Sequence, residues 1–153
     1  MQIINIINIM EDTPSEPSQQ LHPITLTDSH THLTDYNDMQ EVDDVLLKAR
    51  SAGVKLILDN ATKEDNWKQV LDISHKYPDL VVPSVGLHPY YLSASEIKKD
   101  WHMRMEDILK NNKKVQVGEI GLDFSKLEKA SKEEQMNIFV QQLELAESRL
   151  KAY

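Results

Sequence analysis

The chain has 153 residues, 40% hydrophobic and 27% charged, a balance that suits one globular domain with a sizeable core and not a disordered polymer. Its formal net charge of −8 argues against a broad basic surface for nucleic acid, so positive charge at a phosphate site must come mainly from bound cations. The lack of cysteine excludes disulfides and thiolate chemistry and fits a reducing, intracellular compartment, cytoplasmic or nuclear. No apolar run approaches the roughly 20 residues that a membrane span requires.

The first ten residues, Met1 to Met10, are rich in alternating Ile and Asn but lack the basic start and small-residue cleavage site of a secretory signal. Glu11 to Gln20 is polar, Pro/Ser-rich and aperiodic, the composition of a linker. We therefore expect residues 1–23 to form a flexible N-terminal extension and residues 24–153 to form the domain.

From Ile24 onward, strand-like and helical patterns alternate. Strands are expected over 24–28, 54–58, 80–85 and 114–120. The first helix carries Met39, Val42, Val45, Leu46 and Ala49 at helical spacing, with Gly53 suited to its C-terminal cap. The second, from Thr62 to about Tyr77, places Trp67, Val70, Leu71 and Ser74 on one face and is stopped by Pro78. The third, about Ser95 to Asn111, carries Ile97, Trp101, Met105 and Ile108. The fourth opens on the capping box Ser131-Lys132-Glu133-Glu134, and its stripe of Met136, Phe139, Val140, Leu143 and Leu150 is expected to face the core. Alternation at this period means repeated βαβ units, so the fold class is α/β with a parallel sheet of four βα units.

In such folds functional groups gather at the carboxyl ends of the strands. The first strand leads into Asp28-Ser29-His30-Thr31-His32-Leu33. Histidines two residues apart on a strand point to one face, where they can reach a single metal ion; two surface histidines beside a turn would give the same pattern. The second strand ends in Asp59-Asn60, which read as loop residues. The third ends in Gly86-Leu87-His88-Pro89, and the fourth in Gly118-Glu119-Ile120-Gly121-Leu122-Asp123. His88 before a proline and Asp123 in a loop both have capping readings. Glu119 follows Val115-Gln116-Val117, and an unpaired carboxylate in a buried strand would be costly, so a metal or cationic partner is the economical answer. Gly118 and Gly121 would let the backbone approach a ligand closely. His22, His75 and His102 read as ordinary surface or packing residues.

The ordered set Asp28-Ser29-His30-Thr31-His32-Leu33, Val85-Gly86-Leu87-His88-Pro89 and Gly118-Glu119-Ile120-Gly121-Leu122-Asp123 resembles the TatD family of metal-dependent hydrolases, often described as TatD-like deoxyribonucleases. The resemblance covers about residues 24–150. It implies a TIM-like (β/α)₈ barrel with one or two divalent ions, Mg, Mn or Zn, at its carboxyl-terminal mouth. By that resemblance His30, His32 and Glu119 are metal ligands, Glu119 is also catalytic, and His88 and Asp123 contact the substrate, DNA. The family supplies two further histidines and an aspartate from the second half of the barrel. A full barrel needs about 250 residues, and four βα units are its N-terminal half. An open half sheet has bare edges and an uncovered inner face, so self-association or pairing with a complementary half-barrel is expected. The alternative to a DNA phosphodiesterase is therefore a truncated, non-catalytic fragment or a partner-binding isoform.

Overall fold

The computed structural model describes residues 25–93, 97–125 and 127–151. The expected N-terminal extension lies outside these residues, as do Ser95 and Glu96 at the expected start of the third helix. Four strands, β1 (Leu26–Thr31), β2 (Val54–Asn60), β3 (Val81–Val85) and β4 (Gln116–Val117), alternate with four helices, α1 (Met39–Ser51), α2 (Glu64–Lys76), α3 (Trp101–Asn111) and α4 (Lys132–Lys151). The strands form one parallel sheet in the order β1-β2-β3-β4, the topology expected of consecutive βα units. Among the described residues no helix is long and apolar enough to cross a membrane.

Local chemistry explains the helix limits. Asp38 caps α1 by accepting from the Gln40 and Glu41 amides, and Gly53 follows its last turn at φ 94°, a left-handed conformation that suits glycine. Ser131 and Glu134 form the reciprocal box at the start of α4: the serine Oγ accepts from the Glu134 amide at 3.2 Å, and the Glu134 carboxylate accepts from the Ser131 amide at 2.8 Å. Helix α3 begins later than its periodicity suggests, because Asp100 sits at φ 62°, off the helical path. Ile97 still packs against the core from outside the helix.

One core cluster lies between the sheet and the first two helices, built on Val42, Leu46, Ile57, Ile73 and Val81. A second, built on Trp67, Val70, Val85, Trp101 and Met105, lies between the sheet and helices α2, α3 and α4. Alternation along β2 and β3 turns Ile57, Val81 and Val85 to the helices, and places Leu56 and Asn60 on the opposite face, the inner face of a barrel.

Three expectations change. Strand β1 runs to Thr31, so His30 lies within the strand and His32 just beyond it. Strand β4 has only two residues, since only Ser84 and Val85 of β3 pair with it, and Glu119 lies past its end with a side chain 30% exposed. The buried-strand argument for Glu119 therefore does not hold. Part of the α4 stripe faces outward: Met136, Val140 and Leu143 are 45%, 41% and 45% exposed, while Phe139 is half-buried and Gln135, Ile138 and Gln142 are buried. The glutamines take the inner face because they hydrogen-bond backbone groups of the loops beneath them, which an apolar side chain would leave unpaired.

Candidate metal centre

The sheet brings its strand ends together at one rim. Between Asp28 and Thr31 strand β1 gains one residue on β2, a bulge at which the Asp28 carboxylate accepts the His30 amide at 3.1 Å. This irregular end aims both imidazoles inward. The Nε2 atoms of His30 and His32 lie 3.2 Å apart, and Glu119 Oε2 is 3.5 Å from the first and 3.6 Å from the second. His30, His32 and Glu119 thus form a group whose ligand atoms all lie within 4.8 Å of one another. Two imidazole nitrogens and a carboxylate oxygen are a donor set suited to a divalent ion, with coordination positions left for water or substrate.

Hydrogen bonds to backbone groups fix the tautomers of two rings. His32 Nδ1 lies 2.8 Å from the carbonyl of Asn60, so it carries the proton and leaves the Nε2 lone pair facing the cluster. His88 behaves oppositely. Its Nδ1 accepts from the Tyr90 amide at 3.2 Å, so the neutral ring holds its proton on Nε2, which lies 3.5 Å from Glu119 Oε1. His88 therefore presents a donor to the cluster, not a lone pair. Among the described residues every ion pair of Glu119 is with a histidine.

The fifth expected site residue, Asp123, is not a member of the metal-competent group. Its Oδ1 accepts from the Ser125 amide at 2.9 Å and hydroxyl at 2.6 Å, and both of its backbone groups bond to Gln135. The glycines also divide. A Cβ on Gly86 would lie 2.6 Å from the Glu119 carbonyl oxygen, and one on Gly118 would lie 2.8 Å from Ser84 Oγ, whereas Gly121 has open space around it. The close approaches are between segments of the chain, so Gly86 and Gly118 allow β3 and β4 to meet at the site.

Sequence reasoning passed over Asp59 and Asn60 as loop residues. Asp59 is fully buried; its Oδ1 accepts the Leu33 amide at 2.8 Å, which anchors the turn after His32, and its Oδ2 has no hydrogen-bond partner. Burial pushes its carboxyl up to about 6, with the Leu33 amide and the nearby His32 pulling the other way. The available signal was position: both residues close a strand whose neighbours end in histidine.

Similarity to known proteins agrees with this geometry. The model of the family described as TatD related DNase matches residues 27–152. Deoxyribonuclease TATDN3 of Homo sapiens is 30% identical over 132 residues, a match spanning 80% of this chain and 48% of that protein. The 3'-5' ssDNA/RNA exonuclease TatD of Erwinia tasmaniensis is 30% identical over 119 residues, spanning 78% of this chain and 45% of its own length. The crystal structure of YJJV, a TatD homolog from Escherichia coli K12, matches with a TM-score of 0.69 at 29% identity, over 80% of this chain and 47% of that one. The chain thus spans about half the length of the curated relatives it matches. With strands, rim residues and family model in accord, the chain belongs to the TatD-related DNase family.

Proposed function

We propose that this chain serves metal-dependent hydrolysis of DNA phosphodiester bonds, inside the cell, with one or two divalent ions of Mg, Mn or Zn. The observation that carries the reading is the convergence of His30, His32 and Glu119 on one point, with the Nε2–H of His88 directed at the same carboxylate. His30, His32 and Glu119 would hold the metal, which when bound supplies Lewis-acid stabilisation of phosphate charge and lowers the pKa of water toward about 7. The residues divide the remaining work. His32 is kept in its ligating tautomer by Asn60, Glu119 supplies the negative charge that retains a cation at the rim, and His88 offers a hydrogen bond to a phosphate oxygen. In this reading Asp123 shapes the substrate side of the rim from the loop after β4.

Titration of Mn²⁺ or Zn²⁺ into the chain, beside turnover of single-stranded DNA and of a small phosphate ester, tests the reading. His32→Ala is expected to lower metal affinity by at least about 100-fold and to abolish turnover together with it. DNA turnover that persists in a chelator and survives His30→Ala would overturn the metal mechanism. A second reading, a non-catalytic half-barrel that binds a partner, is favoured by the exposed Leu26 and Leu56 on the sheet and by the outward stripe of α4. A folded chain that binds no divalent ion yet associates would select it.

A further inference from the structure

Helix α4 turns two glutamines into the protein where its apolar stripe was expected. Gln135 and Gln142 are fully buried and stand about two turns apart on one helix face. Each carboxamide spans both backbone polar groups of a single loop residue. Gln142 Oε1 accepts the Leu87 amide at 2.7 Å while its Nε2 donates to the Leu87 carbonyl at 3.3 Å. Gln135 Oε1 accepts the Asp123 amide at 2.9 Å, and its Nε2 donates to the carbonyls of Asp123 at 2.9 Å and Ala130 at 3.2 Å. Leu87 and Asp123 lie beyond the ends of β3 and β4, where no strand pairing is available for these groups.

Leu87 immediately precedes His88. The backbone on either side is already tied: the Gly86 carbonyl accepts from Trp67 Nε1 at 2.9 Å, and the His88 amide donates to the Thr62 carbonyl at 2.8 Å. The clasp on Leu87 completes the set and leaves no free rotation of the peptide that carries His88. We propose that Gln142 is a positioning residue for His88, and Gln135 the equivalent for the loop joining Glu119 to Asp123, so that α4 sets the imidazole of His88 against the metal donors. The proposal rests on the hydrolase reading of the rim. Without the clasp the Leu87–His88 peptide is held by the Thr62 carbonyl alone, and the His88 ring samples orientations in which the Tyr90 amide no longer caps Nδ1 and the proton is no longer confined to Nε2.

The test uses the whole chain without metal or substrate, so it stands apart from the test of hydrolysis. Ring ¹⁵N spectra report the tautomer of each histidine, and hydrogen exchange reports the Leu87 amide. In the wild-type chain His88 is expected as the Nε2–H tautomer, and the Leu87 amide is expected to be protected although it lies in a loop. Gln142→Met keeps the volume and removes both hydrogen bonds; it is expected to leave His88 as a mixture of tautomers while the His32 signals stay as in wild type. A separate Mn²⁺ titration of that variant is expected to stay within about tenfold of wild type, since no metal donor is touched. A folded Gln142→Met chain with wild-type His88 signals overturns the proposal. So does a wild-type Leu87 amide that exchanges at open-loop rate, a measurement that does not depend on any variant folding.

Discussion

At the scale of single residues, the rim is held by groups whose cost is visible. Asp59 is buried beneath His32 with one oxygen unpaired, and its carboxyl lies near 6 against an ordinary 3.8. The folded state therefore holds this proton more tightly than the unfolded chain does. The contribution is fully present below about 4 and is lost as pH rises through about 6, a swing of about 3 kcal/mol. Asp59→Asn cannot ionise, so urea unfolding of both proteins in chelator should show the variant gaining on wild type between pH 4 and 7, by up to about 3 kcal/mol. A difference that is flat across that range would mean that Asp59 ionises normally. Gly86 poses a steric question. An added Cβ meets the backbone of Gly118 and Glu119, which cannot rotate away, so Gly86→Ala is expected to cost about 1–3 kcal/mol and to weaken metal binding by displacing Glu119. Gly121→Ala, in open space, should leave stability unchanged or raise it by up to about 1 kcal/mol. Thermal denaturation of the pair checks both.

At the scale of elements, the starts of α1 and α4 are carried by nameable side chains, Asp38 and Ser131, and each buried face by its neighbours. Ser131 satisfies the Glu134 amide at the head of α4, so Ser131→Ala should lower stability by about 1 kcal/mol, read from the urea midpoint. That capping box was legible in the sequence because it depends only on residues three apart. The inner face of α4 was not. Periodicity marks Met136, Val140 and Leu143 as one stripe and cannot distinguish a stripe that meets this sheet from one that meets something else. Gln135 and Gln142 are polar by composition and buried only because Leu87 and Asp123 need partners. Between helices, polar ties also escaped the sequence: Asp43 of α1 accepts from Lys76 at 2.7 Å and from Tyr77 at 2.5 Å, across thirty-odd residues. Those two donors hold the Asp43 carboxyl below its usual value, and Tyr77 is pushed up to about 12, chiefly by burial and then by the same bond.

At the scale of the whole molecule, four parallel strands leave an inner face that the helices do not cover. Leu26 and Leu56 on the sheet are 42% and 43% exposed, and the α4 stripe adds a second apolar surface. Surfaces of this kind drive association. Sedimentation velocity across a concentration series should show this chain self-associating, and replacing Met136, Val140 and Leu143 together by polar residues should shift it toward monomer without loss of helix content. A chain that sediments as monomer at all concentrations would remove this expectation.

The order of strands and helices, the apolar faces of α1 and α2, the capping box and the candidacy of His30, His32 and Glu119 were set by the sequence alone, because each depends on short-range spacing or on the rule that strand ends collect function. Tertiary structure decided the rest. The meeting of the His30, His32 and Glu119 donor atoms requires β1 and β4 to stand in one sheet with β2 and β3 between them. The tautomers of His32 and His88 follow from the Asn60 carbonyl and the Tyr90 amide, and only the fold delivers the first across 28 residues. The burial of Gln135 and Gln142 depends on which loops lie beneath α4. Side-chain spacing is local information, whereas hydrogen-bond partners and burial are properties of packing, and packing exists only once the chain has closed.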